Sequence, residues 1–445
     1  MNNISESPKK KMSLFVATAL VVGNMVGSGI FMLPNTLAHA AGPGSIILAW
    51  LFTGIGSIFL ALSFARLGSV IPKTGGPYEY SKEAFGDFVG FSNAWLYWNG
   101  SWIGNAAVII AIASYAGAIF PIINNNSTVG FLVCSGVLWI VTYVNIKGVE
   151  LAGKVGSAIT VFKLLVLLLF IIIAAINFDS TNMTPMFPSG KGIETLPAAA
   201  TITLWAFVGL ETASITGGEI ENPKKNIYKS TVYGILIACI FYIAISFFAM
   251  GAMSQSEMMT SSAPISDILV KFCGTGIMKW INASIVIGII GTAVGWVLSS
   301  ARIAFAAGED GTFPKFFAIK SKKYGTPAVA LIISSALTNV VLLMNFTKGF
   351  SEALSVITLL ATLSYLPIYA ITAVSDIIIM SKNEKLSLGY VLKKSIIPML
   401  GFIYAMWTIY GSGAETVMYG FLLMMSGVPV YAYIRIKHSR KAGNS

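Results

Sequence analysis

Twelve apolar runs of membrane-spanning length dominate this chain, and nothing else constrains its fold so tightly. They fall at about 13–40, 45–68, 87–119, 128–146, 156–177, 195–217, 230–253, 280–306, 327–345, 351–380, 395–411 and 414–434. A helix needs about 20 apolar residues to cross a bilayer. Lipid offers backbone N–H and C=O groups no partner, so each run must satisfy them internally as a helix. Residues are 56% hydrophobic and 11% charged, which excludes an ordinary soluble protein. The expected fold is all-α and integral to the membrane, with twelve transmembrane helices in one domain. Short loops carry the breakers: Pro72-Lys73-Thr74-Gly75-Gly76-Pro77, Asn124-Asn125-Asn126, Asn222-Pro223 and Gly308-Glu309-Asp310-Gly311.

The net charge of +11 does not point to nucleic acid, because the basic residues form no patch interleaved with aromatics. They alternate between loops instead. One set of loops carries twenty-three lysines and arginines, from Lys9, Lys10 and Lys11 to Arg435, Lys437, Arg440 and Lys441; the other set carries Lys191, Lys271, Lys279 and Lys348. By the positive-inside rule both termini are expected in the cytoplasm. Two cations remain inside spans. Arg302, near a helix end, is expected to snorkel, whereas Lys163 is flanked by apolar residues on both sides. Lys9-Lys10-Lys11, an apolar run and Ala38-His39-Ala40 imitate a secretory signal, but the run is too long and an uncleaved first span is expected. Cys134, Cys239 and Cys273 have no metal spacing and are expected to be core thiols. With His39 and His438 as the two histidines, a histidine-based catalytic or zinc centre is not expected, and no cofactor is implied.

Within the first run stands Gly23-Asn24-Met25-Val26-Gly27-Ser28-Gly29-Ile30-Phe31. Each glycine costs a helix interior up to about 1 kcal/mol relative to alanine. A broken helix at bilayer depth survives only in protein or beside a wet cavity. Gly27, Ser28 and Gly29 are therefore expected to unwind the span at a binding site. The freed N–H groups and the positive end of the following half-helix suit a carboxylate. The competing reading is close helix packing through Gly23-x-x-x-Gly27. The sixth run, Thr203-Leu204-Trp205-Ala206-Phe207-Val208-Gly209-Leu210-Glu211-Thr212, carries a glycine and a carboxylate at similar depth. Interrupted segments at matching places in two halves point to a transporter's binding site.

These stretches, with Gly75-Gly76-Pro77-Tyr78-Glu79-Tyr80, Leu96-Tyr97-Trp98, Trp102-Ile103-Gly104-Asn105, Glu221-Asn222-Pro223-Lys224-Lys225-Asn226, Gly295-Trp296 and Asp310-Gly311-Thr312-Phe313-Pro314, resemble the amino acid–polyamine–organocation (APC) transporter superfamily over nearly the whole chain. The likeness is strongest to bacterial basic amino acid/polyamine antiporters. It implies two five-helix inverted repeats, about 13–177 and 195–380, with broken helices 1 and 6, followed by two extra helices at about 395–434. It implies a bacterial inner membrane location. It also implies that amides around Ser28 and Gly29 hold a substrate carboxylate, while carbonyls near Trp205, Ala206 and Val208 meet its ammonium.

Asn24, polar beside the break, is a candidate for the site or for helix–helix hydrogen bonding. By the likeness Asn105 recognises a polar substrate end. Trp205, Trp296, Tyr97 and Tyr365 match positions of aromatic gates that stack on a guanidinium, where a ring face contributes about 2 kcal/mol in a dry site. Any single aromatic is more often packing or an interface anchor. Glu211 is a candidate for gating or proton coupling, since ionisable residues inside a span are functional by default. Lys163 departs from the arginine/agmatine antiporters, which have a small neutral residue there. Proton-coupled relatives carry a lysine at this place, near where sodium sits in sodium-driven ones.

The expected function is secondary active transport of amino acids or their amine products by alternating access, as antiporter or proton-coupled symporter. A transport-inactive amino acid sensor on the same fold is the alternative. An enzyme is not expected, for want of a nucleophile–base pair or metal cluster. The expected partners are an amino acid or polyamine and the bilayer, with protons and a homodimer left open.

Overall fold

The computed structural model describes residues 11–261, 263–347, 351–382 and 387–442. Lys9, Lys10, Lys348 and Lys385 lie outside the described residues, as do the side chains of His438, Arg440 and Lys441. Regular structure among the described residues is helical, apart from two isolated β-bridges, Met12–Ile220 and Thr74–Thr216.

The first run is in three pieces: α1 (Leu14–Met25), a 3-10 turn (Ser28–Phe31) and α2 (Leu33–Ala40). Then come α3 (Pro43–Val70), α4 (Pro77–Phe85), α5 (Asp87–Ile119), α6 (Ile122–Asn125), α7 (Ser127–Lys147) and α8 (Val149–Ile176). The sixth run divides into α9 (Leu196–Trp205) and α10 (Thr212–Ile215). It is followed by α11 (Pro223–Ala252), α12 (Gln255–Thr260), α13 (Pro264–Cys273), α14 (Met278–Glu309), α15 (Ala328–Phe346) and α16 (Ser351–Ser381). The chain closes with α17 (Leu388–Gly411), α18 (Ala414–Ser426) and α19 (Val428–Ala442). Pro43, Pro77, Pro223 and Pro264 open their helices, where a missing N–H costs nothing. The Asn126 side chain caps α7 by accepting from the Thr128 and Val129 amides.

Ten helices among the described residues are long and apolar enough to cross a membrane. The broken pairs α1–α2 and α9–α10 fall short of that length because each is interrupted. At the centre α14 is buried along most of its length and packs on α1, α5, α7, α8 and α15. The outer faces of α8, α11 and α17 expose Leu165, Leu169, Ile240 and Ile403. Such a surface suits lipid, not water. The chain is a multi-pass membrane protein.

Ion pairs join lysine-rich loops to one another: Lys82–Asp310, Arg435–Asp87 and Lys320–Glu309. Two sequence expectations fail. Arg302 does not snorkel; it is buried and pairs with Glu219 at 2.5 Å, because Glu219 lies beside the start of the chain at the same end of the bundle. Cys134 and Cys239 are buried, but Cys273, the last residue of α13, is exposed rather than in the core.

Candidate functional site

Each half of the broken first helix leaves backbone groups unpaired by the helix itself. Beyond Val26 the chain turns extended at Gly27, and no side chain caps the 3-10 turn that follows. The glycines of this stretch differ in what surrounds them. A Cβ on Gly23 would stand 2.5 Å from Thr160 Oγ1, so Gly23 serves close packing against α8. At Gly29 a Cβ would meet nothing within 4 Å, and Gly29 is exposed between the half-buried Ser28 and the buried Ile30. Neither Gly27 nor Gly29 adopts a left-handed φ, so what they supply is room.

The sixth run breaks differently. Gly209 has φ +113°, and a Cβ there would lie 3.1 Å from the Asn24 backbone. Only glycine accepts that conformation without strain. It brings the second break against the first.

Between the two breaks lies a small cavity of about 60 Å³. Asn24, Gly27, Ser28 and Gly29 line it from the first helix, and Trp205, Ala206 and Val208 from the sixth. Trp296 and Tyr365 enter from α14 and α16. Tyr365 is the hub of the aromatic wall. Its ring meets Tyr97, Trp296 and Trp205 edge to face, with centroids 5.2, 5.7 and 6.2 Å apart. Its hydroxyl bonds Ser101 Oγ at 3.0 Å. Trp205 is 37% exposed and lines the cavity.

Two buried charges back the breaks without lining the cavity. Lys163 Nζ donates to the Val26 carbonyl, to the Gly23 carbonyl at 3.2 Å and to Thr292 Oγ1 at 2.9 Å. Three ammonium donors thus meet three acceptors, at the carbonyl end of α1. Glu211 is wholly buried. Its carboxylate accepts from Tyr97 Oη at 3.0 Å, Tyr369 Oη at 2.8 Å and the Gly209 amide at 3.2 Å. Both sets lie on the side of the breaks that leads back to Met12 and on to Ile220, which pair in a β-bridge.

Asn24 sits between. Its Nδ2 donates to Thr212 Oγ1 at 2.9 Å and Ser299 Oγ at 3.3 Å, and its carbonyl accepts from Trp296 Nε1 at 3.1 Å. Its Oδ1 is buried and accepts no hydrogen bond among the described residues. Asn105 does not join the cavity wall. Gly104 and Val108, four residues apart on one face of α5, line it instead, and Asn105 is turned about 100° from Gly104. The carbonyls beyond α9 are not equally open. Trp205 O accepts from the Val208 amide at 3.2 Å, and Ala206 O from Tyr242 Oη at 2.6 Å.

Thr292, Tyr369 and Tyr242 escaped the sequence reading. Hydroxyls in spans are commonplace, and none of the three sits beside a charge. The usable signal was spacing: Tyr369 is one turn beyond Tyr365, and Thr292 one turn before Trp296.

Residues 12–433 match the family model described as amino acid permease. An arginine/ornithine antiporter of Pseudomonas aeruginosa is 31% identical, over 98% of this chain and 92% of its own. An arginine/agmatine antiporter of Chlamydia felis is 31% identical, over 95% of this chain and 90% of its own. Relatives of this kind are transporters, not enzymes. The chain belongs to the amino acid permease family, within the APC transporter superfamily.

Proposed function

We propose that the cavity between the two broken helices is the substrate site of an amino acid antiporter working by alternating access. The observation that carries this reading is the meeting of two unwound backbones around one cavity. On the Ser28–Gly29 side, uncapped amides at a helix start suit a carboxylate. On the opposite side, the Val208 carbonyl, with a second lone pair on Ala206 O, suits an α-ammonium. The aromatic wall suits a cationic side chain or amine, through ring faces rather than a counter-charge. Glu211 is held by three donors and does not line the cavity, so it acts on the gate rather than on substrate. The relatives' names, arginine/ornithine and arginine/agmatine antiporter, favour exchange of basic amino acids or their amines.

Lys163 supports a second element, proton linkage. A charged lysine fills all three acceptors at the first break, whereas a neutral amine has two N–H donors and must release one. Protonation and the position of α1 would then be coupled.

The reading of the whole chain that goes with this is twelve spans, α1–α2 and α9–α10 counting as one each, arranged as two inverted repeats of five and two further helices. Both termini face the cytoplasm of a bacterial inner membrane, on the strength of the lysine asymmetry. Counterflow in proteoliposomes with a panel of amino acids and polyamines tests the function. Exchange of at least one basic amino acid is expected; binding without any exchange would make the protein a sensor.

A further inference from the structure

Away from the proposed substrate cavity, at the lysine-rich end of the bundle, the ends of α3, α11, α16 and α17 frame a second, open cavity of about 590 Å³. Arg66 lines it from α3. Its Nε and Nη2 grip the two carboxylate oxygens of Asp376 on α16, at 2.7 and 2.5 Å. That fork holds the guanidinium rigid and leaves Nη1 over. The partner of Nη1 is the thioether of Met380 at 3.6 Å, a weak acceptor for a charged donor. Lys394, from the second turn of α17, borders the same space. Its ammonium lies 5.8 Å from the Tyr390 ring centroid and makes no ion pair among the described residues. Tyr228 and Tyr390 also border it.

The one carboxylate in the wall is already committed to Arg66, so the cavity is net cationic. Its lining includes exposed apolar residues: Val70 is 59% exposed and Ile397 39% exposed. A pre-aimed guanidinium donor, a lysine and phenols at a helix-end level, beside exposed apolar residues, are what a phosphodiester on a glycerol backbone requires. We propose that this cavity binds the headgroup of an anionic phospholipid, with Arg66 Nη1 and Lys394 Nζ as the donors to its phosphate. The bound phosphate bridges the α3–α16 pair to α17. The proposal rests on the chain's crossing the membrane and is independent of the transport reading.

The test uses the full-length protein in neutral detergent, titrated with short-chain phosphatidylglycerol while its thermal unfolding midpoint is followed. Phosphatidylcholine, inorganic phosphate and glycerol phosphate serve as parallel probes. Phosphatidylglycerol is expected to raise the midpoint saturably, and the other three to leave it in place. Lys394→Gln is expected to weaken that response about fivefold, the factor that goes with one basic residue near an anionic lipid. Arg66→Lys keeps a cation for Asp376 but removes the free fork nitrogen, and is expected to weaken it similarly. Lys437→Gln, an exposed cation elsewhere, is expected to change nothing. Equal shifts with phosphatidylcholine, or equal loss in Lys437→Gln, would overturn the site. An equal shift with phosphate or glycerol phosphate would overturn the lipid assignment in favour of a small-anion site.

Discussion

The two helix breaks are built alike and charged oppositely. At the first, the carbonyl end of α1 is met by the Lys163 ammonium; at the second, the Glu211 carboxylate accepts from the Gly209 amide in the unwound stretch before α10. The lysine complements the partial negative charge at the end of α1, and the carboxylate holds a freed backbone donor. Both occupy the half that lies toward the lysine-rich end. The other two half-helix ends, the start of the Ser28–Phe31 turn and the end of α9, carry no charged side chain and open on the cavity. On the proposed reading, the ends toward the lysine-rich side are met by the protein's own charges, and the other two are left for a ligand that brings its own carboxylate and ammonium. A zwitterion fits that division better than a simple cation does.

The largest effect is expected where the protein's own charge is removed from the tighter of the two breaks. Glu211→Ala strands three buried donors, those of Tyr97, Tyr369 and Gly209. Each unsatisfied group costs about 1–3 kcal/mol, so a stability loss of at least about 3 kcal/mol is expected, with transport abolished. An unchanged unfolding midpoint in detergent would mean that the carboxylate does not hold the second break.

Next comes the open end of the first break. Gly29→Val places a branched side chain where nothing now stands within 4 Å. The fold should persist, because the backbone there needs no left-handed φ. The cavity should not accept substrate as before. Crowding of about 1–3 kcal/mol lowers affinity by up to about a hundredfold. Normal substrate affinity, by isothermal titration of a folded Gly29→Val protein, would remove the carboxylate site from this turn.

Much of this arrangement was legible before any coordinates. The apolar runs located the helices because the bilayer enforces length. Gly27-Ser28-Gly29, Gly209, Glu211 and Lys163 stood out because each violates what a lipid-crossing helix tolerates. The partners of those residues did not stand out. Thr292 and Tyr369 obey the rules of an ordinary span, and their role comes from which helices pack together, a tertiary fact. Asn105 shows the converse: a polar residue at the right depth, turned off the cavity face by one step of the helix.

Trp205 separates the ring wall from the backbone sites. Trp205→Leu keeps both half-helix ends and removes a partly exposed ring. Arginine should bind about thirtyfold more weakly, the equivalent of about 2 kcal/mol of cation–π attraction in a desolvated site. Alanine should change little. Equal losses for both in a binding panel would make Trp205 a steric wall and remove the argument for cationic substrates.

The buried lysine tests whether the inner charge at the first break is structural or exchangeable. Lys163→Ala leaves Thr292 Oγ1 bonded to the Gly23 carbonyl at 3.0 Å, so the break stays partly capped and binding should survive. A pH difference of one unit, through one coupled proton, drives at most about tenfold accumulation. The native protein is expected to accumulate substrate under an inward proton gradient, and Lys163→Ala to lose that response. Full gradient-driven accumulation by Lys163→Ala would leave plain exchange as the account.

The smallest effect asks how open the outer end of the second break is. Tyr242 Oη donates to the Ala206 carbonyl at 2.6 Å, and its ring stacks on Trp50 with centroids 5.2 Å apart. Tyr242→Phe keeps the ring and removes the donor. The loss is one hydrogen bond, worth about 1 kcal/mol of stability. If Ala206 O is a ligand for the substrate ammonium, the freed carbonyl becomes a better acceptor when substrate arrives. Affinity should then hold or rise by up to about fivefold, even as the empty protein becomes less stable. Those two changes run in opposite directions, which a merely destabilised site would not produce. A fall in affinity would instead place the Tyr242 hydroxyl itself on the substrate, and the ammonium would have to be sought at Val208 alone.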